Sequence, residues 1–280
     1  YATAWSFSFG EMSTFFIPSY YGFGGATYWG NMPFTDYPNY MGIIVITLAI
    51  IGLLFSENKI KYFFGLTGLL ALLISFGKNF FFYQIFYDYF PYFNKFRVPA
   101  MFLILTQFSI AVLAGLGLDI STKIISNNNI EMVKKMFYVA GAVLLIIIGL
   151  KFNQPDFGPR SHPVLNTLRI DLINSDMMKS ILFLIISVGV FYITRMGWIT
   201  NRVLAAIIMS LSVVDLTLVD HQIIQPGKDS YRQSTMTKRS VISAYLNEDE
   251  VIRFLKKDTT LYRILPLGSL ANENRWSAFQ

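Results

Sequence analysis

The chain has 280 residues, 54% of them in the hydrophobic set, with a mean hydropathy of +0.47. Only 14% are charged, 23 Lys and Arg against 17 Asp and Glu, where a soluble domain carries about 25%. Six windows, residues 40–55, 62–77, 98–118, 136–150, 180–194 and 203–219, contain a single charge between them, Asp215. Apolar segments bounded by charges exclude a soluble globular enzyme, a disordered chain and a coiled coil, and predict an all-α polytopic membrane protein.

Cysteine is absent, which excludes a disulfide framework, a thiolate nucleophile and a zinc–cysteine site. With only His162 and His221, no metal centre and no cofactor is expected. The net charge of +6 does not signal nucleic acid, because the cations gather at the window ends and in the C-terminal stretch, where they suit lipid headgroups. The chain opens on Tyr1 with no secretory leader pattern, and reads as an internal piece of a longer protein.

In chain order, residues 1–39 form an aromatic, glycine-rich segment without Lys or Arg, expected outside the cytoplasm. Its isolated carboxylates, Glu11 and Asp36, are weak candidates for a catalytic acid or base. Tyr28 and Trp29 are candidates for the lining of a carbohydrate-facing or lipid-facing surface. Residues 40–220 are expected to hold about six transmembrane helices, one per window, with snorkelling Lys and Arg side chains extending the short ones. The short connections after the first, third and fifth windows carry the denser basic charge and are expected in the cytoplasm, leaving residues 78–97 and 151–179 outside.

Residues 79–96 are expected to lie in the interface or re-enter it. Ten of the fourteen positions in 80–93 are aromatic, and Asp88 and Pro91 interrupt them. Lys95 and Arg97 follow, just before Pro99 in a first helical turn, a pattern suited to a phosphate or a lipid headgroup. Ala111 and Gly115 make a small-xxx-small pair that implies close helix packing. Asp215 lies inside a spanning window and needs a partner; an outer-side cation, Arg97 first among them, is expected. Residues 221–280 are read as the start of an extracytoplasmic α/β domain, with an amphipathic helix over 241–257 and a strand over 261–267.

Several segments, in order, carry a family resemblance: Tyr28-Trp29-Gly30 with Pro33-Phe34-Thr35-Asp36, Tyr40-Met41-Gly42-Ile43, Gly77-Lys78-Asn79, Phe93-Asn94-Lys95-Phe96-Arg97-Val98-Pro99, Ala114-Gly115-Leu116-Gly117-Leu118-Asp119, Val214-Asp215-Leu216 and Tyr262-Arg263-Ile264-Leu265. Together they resemble the YfhO family of bacterial multi-pass membrane proteins. The resemblance implies an architecture similar to GT-C glycosyltransferases in the bacterial cytoplasmic membrane. It also implies a polyprenyl-phosphate-linked sugar as donor and an extracytoplasmic glycopolymer or lipid as acceptor. GT-C enzymes usually carry their catalytic carboxylate in a first large outer loop, which this chain is expected to start beyond, so no catalytic base is carried over. On the resemblance, Lys95, Arg97, Asp215, Tyr28 and Trp29 are substrate-binding candidates. The alternatives are a transporter or flippase of a lipid-linked substrate, or a membrane scaffold without activity.

Overall fold

The computed structural model describes residues 3–153, 155–225, 239–245, 247 and 250–257. It divides into two compact units, Tyr1–Gln233 and Ser234–Gln280. The first unit holds seven α-helices among its described residues: α1 (Ile43–Phe55), α2 (Ile60–Ser75), α3 (Phe81–Tyr89), α4 (Leu103–Ser126), α5 (Ile130–Phe152), α6 (Pro163–Arg195) and α7 (Asn201–Ile224). The second holds two short ones, α8 (Arg239–Tyr245) and α9 (Glu250–Leu255). No strand occurs among the described residues, and the strand expected over 261–267 lies outside them.

Among the described residues, four helices are long and apolar enough to cross a membrane: Pro99–Ser126 (α4 with its leading 3-10 turn), α5, α6 and α7. The other two expected spans are shorter. The 13 residues of α1 rise about 20 Å and the 16 of α2 about 24 Å, against a hydrocarbon core near 30 Å. The sequence of α1, IIVITLAIIGLLF, is apolar on every side, which is the composition of a helix surrounded by others. It is accordingly the core of the bundle, packed on α4 above all and also on α2, α5, α6 and α7. Ile43, Ile44, Leu48 and Ile51 are buried there with Leu113 of α4, Val143 and Ile147 of α5, Leu184 of α6 and Ile208 of α7.

The contact between α1 and α4 rests on glycine. A methyl group on Gly52 would overlap the Leu113 carbonyl, and one on Gly117 would overlap the Leu48 carbonyl. The expected pair, Ala111 and Gly115, faces away: both are exposed, and nothing lies within 4 Å of a methyl group built on Gly115. The small residue that matters on α4 is Gly117, on its buried face with Leu113 and Ser121.

Helix ends also differ from the apolar windows. Charged residues are good helix formers, so α6 runs on through its charges to Pro163, with 33 residues. The outer connection expected over 151–179 shrinks to a short turn before Pro163. Asn129 and Thr200 cap α5 and α7 by accepting the N–H groups of Met132 and Val203. At one end of the bundle, Asn201 donates to Ser126 Oγ (2.5 Å), and Glu57 acts electrostatically on Lys123, so the three short turns share that end. This grouping agrees with the basic-loop pattern.

At the other end, residues 3–42 fold into a cap rather than a loose loop. Phe7 donates from its N–H to the Ser75 carbonyl (2.9 Å), Ala100 to the Trp5 carbonyl (3.1 Å), and Tyr20 OH to the Asn153 carbonyl (2.9 Å). The cap thereby closes on the ends of α2, α4 and α5. The aromatic run forms the nine-residue helix α3, too short to span a membrane.

Candidate functional site

The seven residues singled out from the sequence fall in five separate places. Glu11 and Tyr28 belong together. Glu11 is buried in a 3-10 turn, where its carboxylate accepts Ser8 N–H (2.9 Å), Ser8 Oγ (2.8 Å) and the Tyr28 hydroxyl (2.5 Å). Burial pushes the Glu11 carboxyl up, against the opposing pull of Tyr28, Ser8 and the Arg160 charge. Burial and the Glu11 charge push the Tyr28 phenol up as well, so that it remains the donor. Tyr28 OH in turn accepts the N–H of Met32 (2.9 Å), and Arg160 donates to the Met32 carbonyl (2.9 Å) with its guanidinium 5.1 Å from the Tyr28 ring. Glu11 is therefore locked in the cap and acts through Tyr28 on residue 32.

Trp29 is half-buried and structural. Its indole stacks on Tyr21 (centroids 4.1 Å apart, 15° between planes), and its N–H reaches the Tyr20 carbonyl at 2.9 Å.

Asp215 has a different partner from the one expected. It is 3% exposed on α7 and accepts the Tyr40 hydroxyl (2.9 Å) and the backbone N–H of Ile43 (3.1 Å), the first residue of α1. Instead of pairing with Arg97, it caps the central helix from 172 positions away, where the helix dipole and free N–H groups favour an anion. Gly42, at φ +84°, makes the tight entry into α1 that brings Ile43 to the carboxylate.

Beside it lies a carboxylate that the window pattern misses. Asp176 on α6 is 2% exposed and accepts Ser19 Oγ (2.5 Å), Lys179 Nζ (2.9 Å) and Gln222 Nε2 (3.4 Å). Between the two carboxylates a cavity of about 10 Å³ has the size of one water. The signal was present in the sequence: Ile173, Asp176, Met177, Ser180 and Leu184 share one helical face. Arg169 was missed for the same reason. It is buried and binds the carbonyls of Ala26 (2.9 Å), Thr27 (3.0 Å) and Arg160 (2.7 Å), holding the cap to α6.

The space for a ligand is elsewhere on this end. An open cleft of about 370 Å³ runs between the cap and the start of α4, lined among others by Trp5, Phe34, Asp36, Tyr37, Val98 and Met101. Its volume lies in the range of small-molecule sites. Trp5 and Phe34 meet edge to face at 5.4 Å, and the Trp5 N–H donates to the Phe34 carbonyl (3.3 Å). Val98 is held at φ +58°, a left-handed conformation that is strained for a β-branched residue and of the kind found at ligand sites. The wall over residues 32–39 is fixed at both ends by a buried carboxylate and a tyrosine: Glu11 with Tyr28 at Met32, and Asp215 with Tyr40 just beyond Asn39. Lys95 and Arg97 are exposed on the segment leading to Val98 and are not part of the cleft lining.

No group of metal-ligating side chains occurs among the described residues. Comparison of the chain with protein-family models, curated proteins and solved structures finds no match.

Proposed function

We propose that this chain is part of a membrane-embedded, glycosyltransferase-like protein of the bacterial cytoplasmic membrane. It uses a polyprenyl-phosphate-linked sugar to modify an extracytoplasmic glycopolymer or lipid. In this reading α1 and α2 complete a six-helix membrane region with the four longer helices, and the three short turns face the cytoplasm. The observation that carries it is the cleft at the end of an apolar bundle, whose lining includes Trp5, Phe34 and Tyr37 together with Asp36. Aromatic faces beside a carboxylate suit a sugar, and a site at that level suits a donor whose hydrocarbon tail stays in the bilayer. The segments resembling the YfhO family support the same reading.

Asp36 then acts as general base. It takes the proton of an acceptor hydroxyl, whose oxygen bonds to the anomeric carbon. The bond from that carbon to the phosphate oxygen breaks, and polyprenyl phosphate leaves with the electron pair. Asp36→Asn in the full-length protein is expected to slow sugar transfer by about 10²–10⁴-fold while donor binding persists. Unchanged transfer removes the assignment.

A second reading, transport of a lipid-linked substrate, draws on Asp176 and Asp215, two carboxylates buried among apolar helices. Their donors are Tyr40, Ser19, Lys179, Gln222 and a helix N-terminus, which makes them a structural lock in the first reading. Movement of a labelled lipid across vesicles without release of polyprenyl phosphate would favour transport.

A further inference from the structure

We infer that the connection between α2 and α4, with α3 at its centre, docks on the interfacial layer of an anionic phospholipid bilayer. One side of α3 is already used. Tyr83 and Phe86 each lie 5.5 Å from the Phe93 ring, and this cluster packs on Ile74 of α2 and on Phe102. The other side leaves Phe81, Ile85 and Tyr89 exposed, and Phe90, Tyr92 and Phe96 after the helix are exposed too, Tyr89 by 84% and Tyr92 by 80%. Rings that are apolar in body with a phenol at the tip suit the boundary between headgroups and acyl chains.

Two observations select a bilayer as the occupant. First, the helices on either side of the connection also expose apolar side chains, Leu66 and Leu69 on α2 and Ile104 and Phe108 on α4. The second helix belongs to a segment long enough to cross a membrane. Second, the charge is complementary. Lys95 and Arg97 are both exposed, directly beyond the aromatic rings, and with Lys78 they outnumber the one carboxylate in the connection, Asp88. Cations just past an aromatic belt meet lipid phosphates. The phosphate of a lipid-linked donor has the same chemistry, and the inference commits the two cations to the bilayer instead.

These 280 residues carry no cysteine, and any cysteine elsewhere in the full-length protein is first replaced by serine. Tyr92→Cys and, as a control at the opposite end, Asn128→Cys are each labelled with an environment-sensitive fluorophore in the full-length protein. The protein is placed in nanodiscs of phosphatidylcholine alone or mixed with phosphatidylglycerol. The label at 92 is expected to shift to the blue when phosphatidylglycerol is present, and to be quenched by lipids carrying a nitroxide near the headgroup. It is also expected to resist a water-soluble quencher that reaches the label at 128. Lys95→Gln with Arg97→Gln should abolish the response to phosphatidylglycerol, each cation being worth about fivefold in association with the surface. Equal aqueous quenching at 92 and 128 in both lipid mixtures would overturn the inference, as would protection that needs a second protein copy. In lipid-free detergent, loss of binding of a short-chain prenyl phosphate by the double variant would also overturn it and return both cations to a donor site.

Discussion

Asp215 shows how a single buried residue sets the geometry of an entire helix start. Its carboxylate serves Tyr40 OH and the Ile43 N–H at once, so its loss removes the acceptor of the buried Tyr40 hydroxyl and leaves the Ile43 N–H only the Tyr40 oxygen (3.1 Å). Asp215→Asn is expected to cost about 1–3 kcal/mol. Asp220→Asn, at an exposed position on the same helix, should stay within about 0.5 kcal/mol. Thermal unfolding in detergent measures both, and equal shifts would contradict the capping role. Glu11 makes a pH prediction. Its carboxyl is raised by burial, so the folded state holds the proton more tightly than the unfolded chain. The stability it contributes is complete below the ordinary carboxylate value of 4.5 and is lost as pH rises through the folded value. Glu11→Gln keeps the shape and removes the charge, so the variant's stability should fall less over that window than the native protein's. Parallel curves for the two proteins would show that Glu11 is not the group responsible. The sequence marked Glu11, Tyr28 and Asp215 as unusual, but not their partners, because a hydrogen bond across 17 or 175 positions has no local pattern.

The helices were legible as apolar windows, and their true ends were not. Charge marks where a helix leaves the apolar layer, whereas the helix stops at caps such as Asn129, Thr200 and Pro163. Counting 163–179 as a loop hid Asp176 and Arg169, the two buried charged residues of α6. Rotation about the axis was also illegible for α4, whose buried face, with Thr106, Ser109, Leu113, Gly117 and Ser121, is not marked by apolar character alone. This predicts a contrast between neighbouring glycines. Gly117→Ala pushes a methyl group into the α1 backbone and should destabilise by about 1–3 kcal/mol. Gly115→Ala meets open space and should leave stability unchanged or raise it by up to about 1 kcal/mol through helix propensity. Similar losses in both variants would mean that α4 presents another face to α1.

For the whole molecule, the sequence divides the polar material between two ends, and the structure groups the turns in the same way. Reporter fusions at Asn58, Asn128 and Gly197 are expected to share one side of the membrane, the cytoplasm, and a fusion at Asn153 the other. Any split among the first three would contradict the bundle. The cap, the cleft and α3 all lie at the end opposite those turns. The cleft itself was not legible, because it joins Trp5, residues 32–39 and residues 98–101, which only folding of the cap over α4 brings together. Asp36 was visible as a lone carboxylate, without a sign of the cleft it lines. The most direct test of the account is therefore whether the cleft holds the donor. A polyprenyl-phosphate-sugar analogue is titrated against the full-length protein and against Ala100→Trp, which fills the cleft from its α4 side. The account predicts saturable binding that the substitution abolishes while the protein still unfolds at its native temperature; equal affinity in the two proteins would contradict it.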